Sequence, residues 1–474
     1  MRVHALFWVV VSWLQAPVTL NGQSLWSPLD QGVSTGGPRV MLEDTLNDIL
    51  YVGGASYHAG IDVTSPGIVA WNGSEFSALG CGFNWDCVSQ LSDGGMANPI
   101  TALALWQGDL YAGGGISSAS GVPISRIARW NGTVWEPLAG GLNGPVYRLH
   151  GYDEGLYAVG LFTEADGIEA NGIARWDGSE WQSVFDLPQL GLGVNYIYDM
   201  AWYNNELYIC GNFVGEGGMI GIARHDGTSW RSVGDGIRGS FSLVNLLEVH
   251  NGLLYVAGAF AKTQPYGPPD NPGCGIVTWD GENWGELGTG TCGANNPTIY
   301  RMTWINDTLY VTGRFNVIGG VPTGRVAKWD GQRWCSLVPP NYFYPDIGAL
   351  GSFRDTLIVG GSFTVAGPDS IDRIAKWIGG SYTSACGTAV GLGEERAVTE
   401  QINPFPNPAT TQFTLALAVE DLGDAVFLYD ATGRVMFSTT VTNTTLAVDV
   451  AHLANGIYTV QIGEERRTRI LVCR

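Results

Sequence analysis

One pattern recurs seven times along this 474-residue chain, and it limits the fold more than any other feature. An aromatic-[Asn/Asp]-Gly anchor stands at Trp71, Trp130, Trp176, His225, Trp279 and Trp329, with a weaker form at Trp377. The intervals are 59, 46, 49, 54, 50 and 48 residues. Five residues after each anchor comes another aromatic: Phe76, Trp135, Trp181, Trp230, Trp284, Trp334 and Tyr382. A second anchor, Leu-Tyr-x-x-Gly, precedes each of these and becomes Leu-Ile-x-x-Gly in the last copy. It ends on Gly54, Gly114, Gly160, Gly211, Gly258, Gly313 and Gly361. Two anchors repeated in step define one structural unit stacked seven times.

Each unit reads as four short strands, a to d. Strand a is apolar, as in Ile100–Leu105, and a turn leads to strand b, the Leu-Tyr-x-x-Gly run. The Gly there allows close backbone approach or positive φ. Strand c carries the first aromatic, and Asn-Gly or Asp-Gly turns the chain into strand d. About fifty residues in four strands is the size of a β-propeller blade. Strand d carries an aromatic and then Leu or Val three residues later in six copies, for example Trp135 and Leu138. Tyr382 and Ala385 satisfy only half of that rule, whereas Trp26 and Leu29, ahead of the first strand a, satisfy it fully. The expected ring therefore closes with Leu25–Leu29 as the seventh strand d, paired with Arg373–Trp377. The Gly after strand b, the aromatic-Asp of strand c and the Trp of strand d resemble kelch-type blades and the central propeller of galactose oxidase. The fold class expected is all-β: a seven-bladed β-propeller of four-stranded blades over 24–387, plus a small C-terminal Ig-like β-sandwich.

Both ends of the chain read as transport signals. Arg2 precedes an apolar run from Ala5 to Leu14, too short to span a bilayer, so 1–23 is expected to be a signal peptide. No later segment reaches transmembrane length. After a polar linker at 388–402, residues 403–474 change character to alternating apolar residues with turn glycines, the pattern of a small antiparallel sandwich. Pro406-Asn407-Pro408, Gly433-Arg434, Gly456-Ile457-Tyr458 and a closing strand with Arg466, Arg467 and Arg469 resemble the C-terminal sorting domain of type IX secretion. That resemblance implies a Bacteroidetes-type bacterium, the type IX machinery as partner, and a secreted or outer-membrane-surface location.

The chemistry of the sequence excludes more than it offers. Net charge is −20, with 24 basic against 44 acidic residues, which excludes a nucleic-acid backbone as partner. The six His and eight Cys show no His-x-x-x-His or Cys-x-x-Cys spacing, so no zinc site is expected. The His and Tyr copper ligands of galactose oxidase have no counterpart here, and that activity does not carry over. Repeat aromatics are read as core. Aromatics off the repeat register, Trp85, Tyr196, Tyr266, Tyr342 and Tyr344, fall in the d–a and b–c connections, which share one face with Asp86, Asp166 and Asp346. That face suits sugar stacking or, through its carboxylates, calcium as the one cofactor considered. Export permits disulfides, and Cys81 with Cys87 and Cys274 with Cys292 lie close enough in the repeat to pair. Cys210 reads as a buried free thiol, and Cys335, Cys386 and Cys473 are left unassigned. The function expected is a monomeric, non-enzymatic propeller binding a glycan or protein. The rival is an extracellular hydrolase or lyase using Asp pairs on the loop face.

Overall fold

A computed structural model describes residues 24–33, 36–55, 58–60, 62–83, 100–185, 196–238, 243–262, 270–293, 297–379, 386–387, 404, 406, 409–417, 421–430, 434–463 and 466–472. The expected signal peptide, the linker, Trp85, Asp86, Cys87, Tyr266, Asn407, Pro408, Gly433 and Cys473 lie outside them. The chain forms two compact units, Met1–Val390 and Gly391–Arg474. The first is a β-propeller. Among its described residues are seven four-stranded antiparallel sheets, each built in the order a-b-c-d. The first sheet, for example, contains Pro38–Asp44, Ile49–Gly54, Ile68–Trp71 and Phe76–Ala78. Strand a of each sheet touches strand a of the next, and the seventh returns to the first.

Ring closure follows the rule read from strand d. Trp26–Pro28 pairs antiparallel with Ile374–Trp377, with Trp26 opposite Trp377 and Pro28 opposite Ala375. Leu25, Trp26 and Leu29 are all buried. The Ile378 amide donates to the Leu25 carbonyl at 3.0 Å. Trp26 packs against Trp377 with ring centroids 5.0 Å apart, the same c–d aromatic pairing as Trp130–Trp135 at 5.3 Å and Trp329–Trp334 at 5.4 Å. Indole N–H groups of strand d also stitch neighbouring sheets together. Trp135 donates to Leu79 O, Trp181 to Leu138 O and Trp334 to Leu287 O.

The aromatic-Asn/Asp-Gly anchor does its work as an Asx turn. Asn72, Asn131, Asp177, Asp226, Asp280 and Asp330 each accept, through Oδ1, the backbone N–H groups two and three residues on. The following Gly takes positive φ, for example +107° at Gly178. The hairpin that this Asn-Gly or Asp-Gly opens is a four-residue loop, since Trp71 pairs with Phe76 and Trp176 with Trp181.

Two covalent ties are present besides that of Cys81, which is disulfide-bonded. Cys274 pairs with Cys292, as their spacing suggested. Cys335 pairs with Cys386, fastening the chain beyond the seventh strand c to strand d of the sixth sheet, where Gly387 N also bonds Trp334 O. Cys210 is a buried free thiol. The second unit pairs Gln412–Ala416 with Thr445–Asp449 and sets a four-stranded sheet, Val435–Thr440, Ala425–Tyr429, Gly456–Ile462 and Arg466–Val472, on the other side of a shared core. Tyr458 is buried there, its hydroxyl donating to Ala454 O.

A bulged ring at the channel mouth

None of the seven glycines after strand b has positive φ, and Gly54, Gly160, Gly211, Gly258, Gly313 and Gly361 act through close approach to backbone. Each pairs with a strand-a residue: Pro38, Ile100, Val146, Ile197, Val244, Ile299 and Ile347. A Cβ on Gly211 would run into the Tyr196 carbonyl, and one on Gly258 into that of Leu243. Directly after that pair, strand a shifts register in every sheet. The extra residues are Arg39, Thr101, Tyr147, Tyr198, Asn245, Tyr300 and Gly348. A bulge re-aims its side chain, and here all seven line one cavity of about 560 Å³ at the mouth of the central channel.

This mouth lies on the face of the d–a and b–c connections, as Gly36, Asp346 and Ser362 on its rim show. Tyr147 and Tyr198 stand 5.7 Å apart, centroid to centroid. Burial raises the pKa of Tyr147, Tyr198 and Tyr300 above the usual phenol value, so each stays a neutral O–H. None of the three hydroxyls has a hydrogen-bond partner among the described residues. Two ring positions are committed to the scaffold: Thr101 Oγ1 donates to Val146 O at 2.5 Å and Asn245 Nδ2 to Ile299 O at 3.5 Å.

One step deeper, where other sheets place Val40, Ala102, Leu246 and Ala349, sheets three, four and six carry Arg148, Asp199 and Arg301. Arg148 and Arg301 line both the mouth and a second cavity of about 300 Å³ below it. Arg301 donates from Nε and Nη2 to Arg39 O, at 3.2 and 2.7 Å, and from Nη1 to Tyr300 O at 2.9 Å. Burial, reinforced by the charge of Arg148, pushes its pKa down. Asp199 is only 3% exposed. Burial would raise its pKa, but the 2.7 Å bond to His150, the nearby charges of His150 and Arg148, and the Leu247 amide hold it below the usual carboxylate value. Burial, with the Asp199 charge added, pushes Glu248 up to about 7 against the pull of His150 and Arg148.

The protonated form of Glu248 suits the folded chain better than the unfolded one, whose value is 4.5. Its contribution is complete below about pH 4.5 and is lost as pH rises through about 7. Glu248→Gln should match the parent chain near pH 4.5 and exceed it at pH 8, by on the order of 1–3 kcal/mol. Thermal unfolding at the two pH values checks this. Equal gains at both would show that Glu248 does not carry the titration.

The loop candidates separate. Tyr196 and Tyr344 are exposed, and Tyr196 lies near Tyr147 at the mouth. Tyr342 is a correction. It is 6% exposed, packs on Phe343 in the closure core, and its hydroxyl accepts from Leu25 N at 3.4 Å, so it belongs to that core and not to the exposed loop face. Asp166 Oδ1 accepts the Gly140 amide, a scaffold bond, and Asp346 is ion-paired with Arg325 on the mouth rim. Among the described residues no group of three or more His, Cys, Asp or Glu is arranged to hold a metal ion. Sequence reasoning missed the bulged ring and the arginines beneath it. The available signal was the Tyr-Arg pair at 147–148 and again at 300–301, charged residues inside an otherwise apolar strand a.

Residues 403–472 match the family described as the secretion system C-terminal sorting domain. The chain is thus a β-propeller protein carrying a type IX sorting tail, and it is secreted or held at the cell surface. No helix among the described residues is long and apolar enough to cross a membrane. No curated protein matches the chain. Among solved structures, it is similar to PorZ, an essential bacterial surface component of the type IX secretion system of Porphyromonas gingivalis. That likeness has 12% identity and a TM-score of 0.36, covering 90% of this chain and 64% of that one. This chain therefore spans just under two thirds of that structure's length. It is also similar to U3-55K (9% identity, TM-score 0.44, 74% of this chain and 98% of that). The β-propeller domain of Swd1 from Myceliophteria thermophila matches at 11% identity and TM-score 0.39, covering 69% of this chain and 95% of that.

Proposed function

We propose that the chain is an extracellular binding protein whose ligand, a glycan in preference to a protein, enters the propeller channel at the bulged mouth. One observation carries this reading: seven bulges converge on a single cavity of about 560 Å³ and bring six side chains to it, the seventh position being Gly348. That volume lies within the range of small-ligand sites. Three neutral phenols with free hydroxyls offer ring faces and paired donor and acceptor groups, which suits a polyhydroxylated ring. The exposed loop residues, including Tyr344, then form the surroundings of the site rather than the site itself.

A panel of oligosaccharides and extracellular proteins, screened against the mature chain, identifies the ligand. Tyr198→Ala should then weaken binding at least tenfold, while Tyr344→Ala leaves it within twofold. The reverse order would move the site to the outer loops. A second reading, polysaccharide hydrolysis or lysis, is favoured by Glu248, pushed up to about 7 beside Asp199, held ionised, since paired carboxylates with separated pKa values suit acid catalysis. Product analysis on any bound polysaccharide decides between them: turnover that Glu248→Gln abolishes would replace the binding reading.

A further inference from the structure

The channel carries a positive charge that the rest of the chain does not explain. Overall charge is −20, yet Arg39, Arg148 and Arg301 converge on one mouth. Of the carboxylates within reach, Glu248 on the lower cavity is pushed up to about 7 by burial and so is largely neutral below that pH, and the others are already engaged. Asp199 serves His150, Arg148 and the Leu247 amide, and Asp346 is paired with Arg325. Glu43, on the lower cavity, accepts from Ser352 and the Arg354 amide. Arg301 is fixed by three bonds to backbone carbonyls, with no carboxylate bonded to it among the described residues. Arg39 is exposed and makes no side-chain ion pair among the described residues. Its Cδ lies 3.9 Å from where a Cβ on Gly348 would stand, so the one ring position without a side chain leaves room for this guanidinium.

Guanidinium stays charged under all ordinary conditions, and two such groups close together in a partly desolvated channel repel each other. An anion placed between them relieves that cost and gains charge-assisted hydrogen bonds. We infer that this mouth is an anion subsite, in which Arg39, Arg148 and Arg301 receive the carboxylate of an acidic saccharide while Tyr147, Tyr198 and Tyr300 contact its ring. The inference rests on the reading of the mouth as the ligand site. An Asp or Glu side chain offered by a protein partner would fill only a small part of the cavity, whereas a uronic-acid disaccharide is commensurate with it.

Calorimetric titration of the mature chain tests this. The probes are di- to tetrasaccharides of galacturonic and glucuronic acid, each beside its carboxyl-reduced counterpart, and a poly-glutamate peptide. The acidic sugars should bind at least tenfold tighter than the reduced ones, and Arg301→Gln should erase that difference. Arg39→Gln, an exposed position that leaves packing intact, should narrow it and keeps the test valid if Arg301→Gln does not fold. Equal binding of acidic and reduced sugars, both weakened by Tyr198→Ala, would overturn the anion subsite and leave the channel reading standing. Binding of the peptide alone would overturn the saccharide assignment. No binding of any probe would overturn both.

Discussion

A chain lacking residues 24–30 should fail to close its ring, exposing the edge of Ile374–Trp377 and aggregating. The removed segment buries Leu25, Trp26 and Leu29 almost completely and supplies the whole outer strand of the last sheet. A buried Leu contributes about 1.5–3 kcal/mol, and truncating a buried Trp costs about 3–5 kcal/mol. The sum, on the order of 10 kcal/mol, rivals the total stability of an ordinary domain, about 5–15 kcal/mol. An unpaired edge of Ile, Ala and Trp then offers itself to other chains. Trp26→Ala should show the graded form of the effect, a lower unfolding midpoint without wholesale aggregation. Light scattering and thermal unfolding report both. A truncated chain that stays monomeric with the parental midpoint would show that closure lies elsewhere.

Deletion of residues 403–474 should abolish delivery outside the cell while leaving the propeller folded. Each unit is compact by itself, and the tail has its own buried core. The sorting match covers residues 403–472, so its loss removes the address and not the cargo. The truncated chain should accumulate in the periplasm with the thermal unfolding of the parent propeller. Cell fractionation with an antibody to the propeller measures this. Parental amounts of the truncated chain outside the cell would refute the assignment.

The sequence reveals the ring but not its mouth, for a physical reason. Asn72, Asp177 and their equivalents act through a local bond pattern that permits few residue types, so they stand out in a single chain. Trp26 and Leu29 were legible because burial demands the same sizes in every sheet. A bulge, in contrast, is imposed by the paired Gly and the backbone, and the bulged position accepts Arg, Thr, Tyr, Asn and Gly alike. Residue type at that place carries no periodic signal. Tyr342 misleads in the opposite way. Its place between strands suggests exposure, but its segment folds back so that Phe343–Tyr344 pairs with Val365–Ala366 under the closure strand. The Cys335–Cys386 bond was equally hidden, since it joins the sixth sheet to a segment outside the repeat.

The bulges separate two kinds of constraint that most binding sites confuse. Glycine and backbone geometry decide where the bulged positions point, while at Arg39, Tyr147, Tyr198 and Tyr300 no side-chain hydrogen bond to the described scaffold fixes the identity of the residue. On the proposed reading of the mouth as the ligand site, a substitution at Tyr147, Tyr198 or Tyr300 would alter what is recognised without disturbing the framework, much as changing one character alters a word but not the page. Four such positions on one rim leave a choice of residue at each place. Propellers of this build could acquire new ligands by single steps, none of which has to pass through an unfolded intermediate.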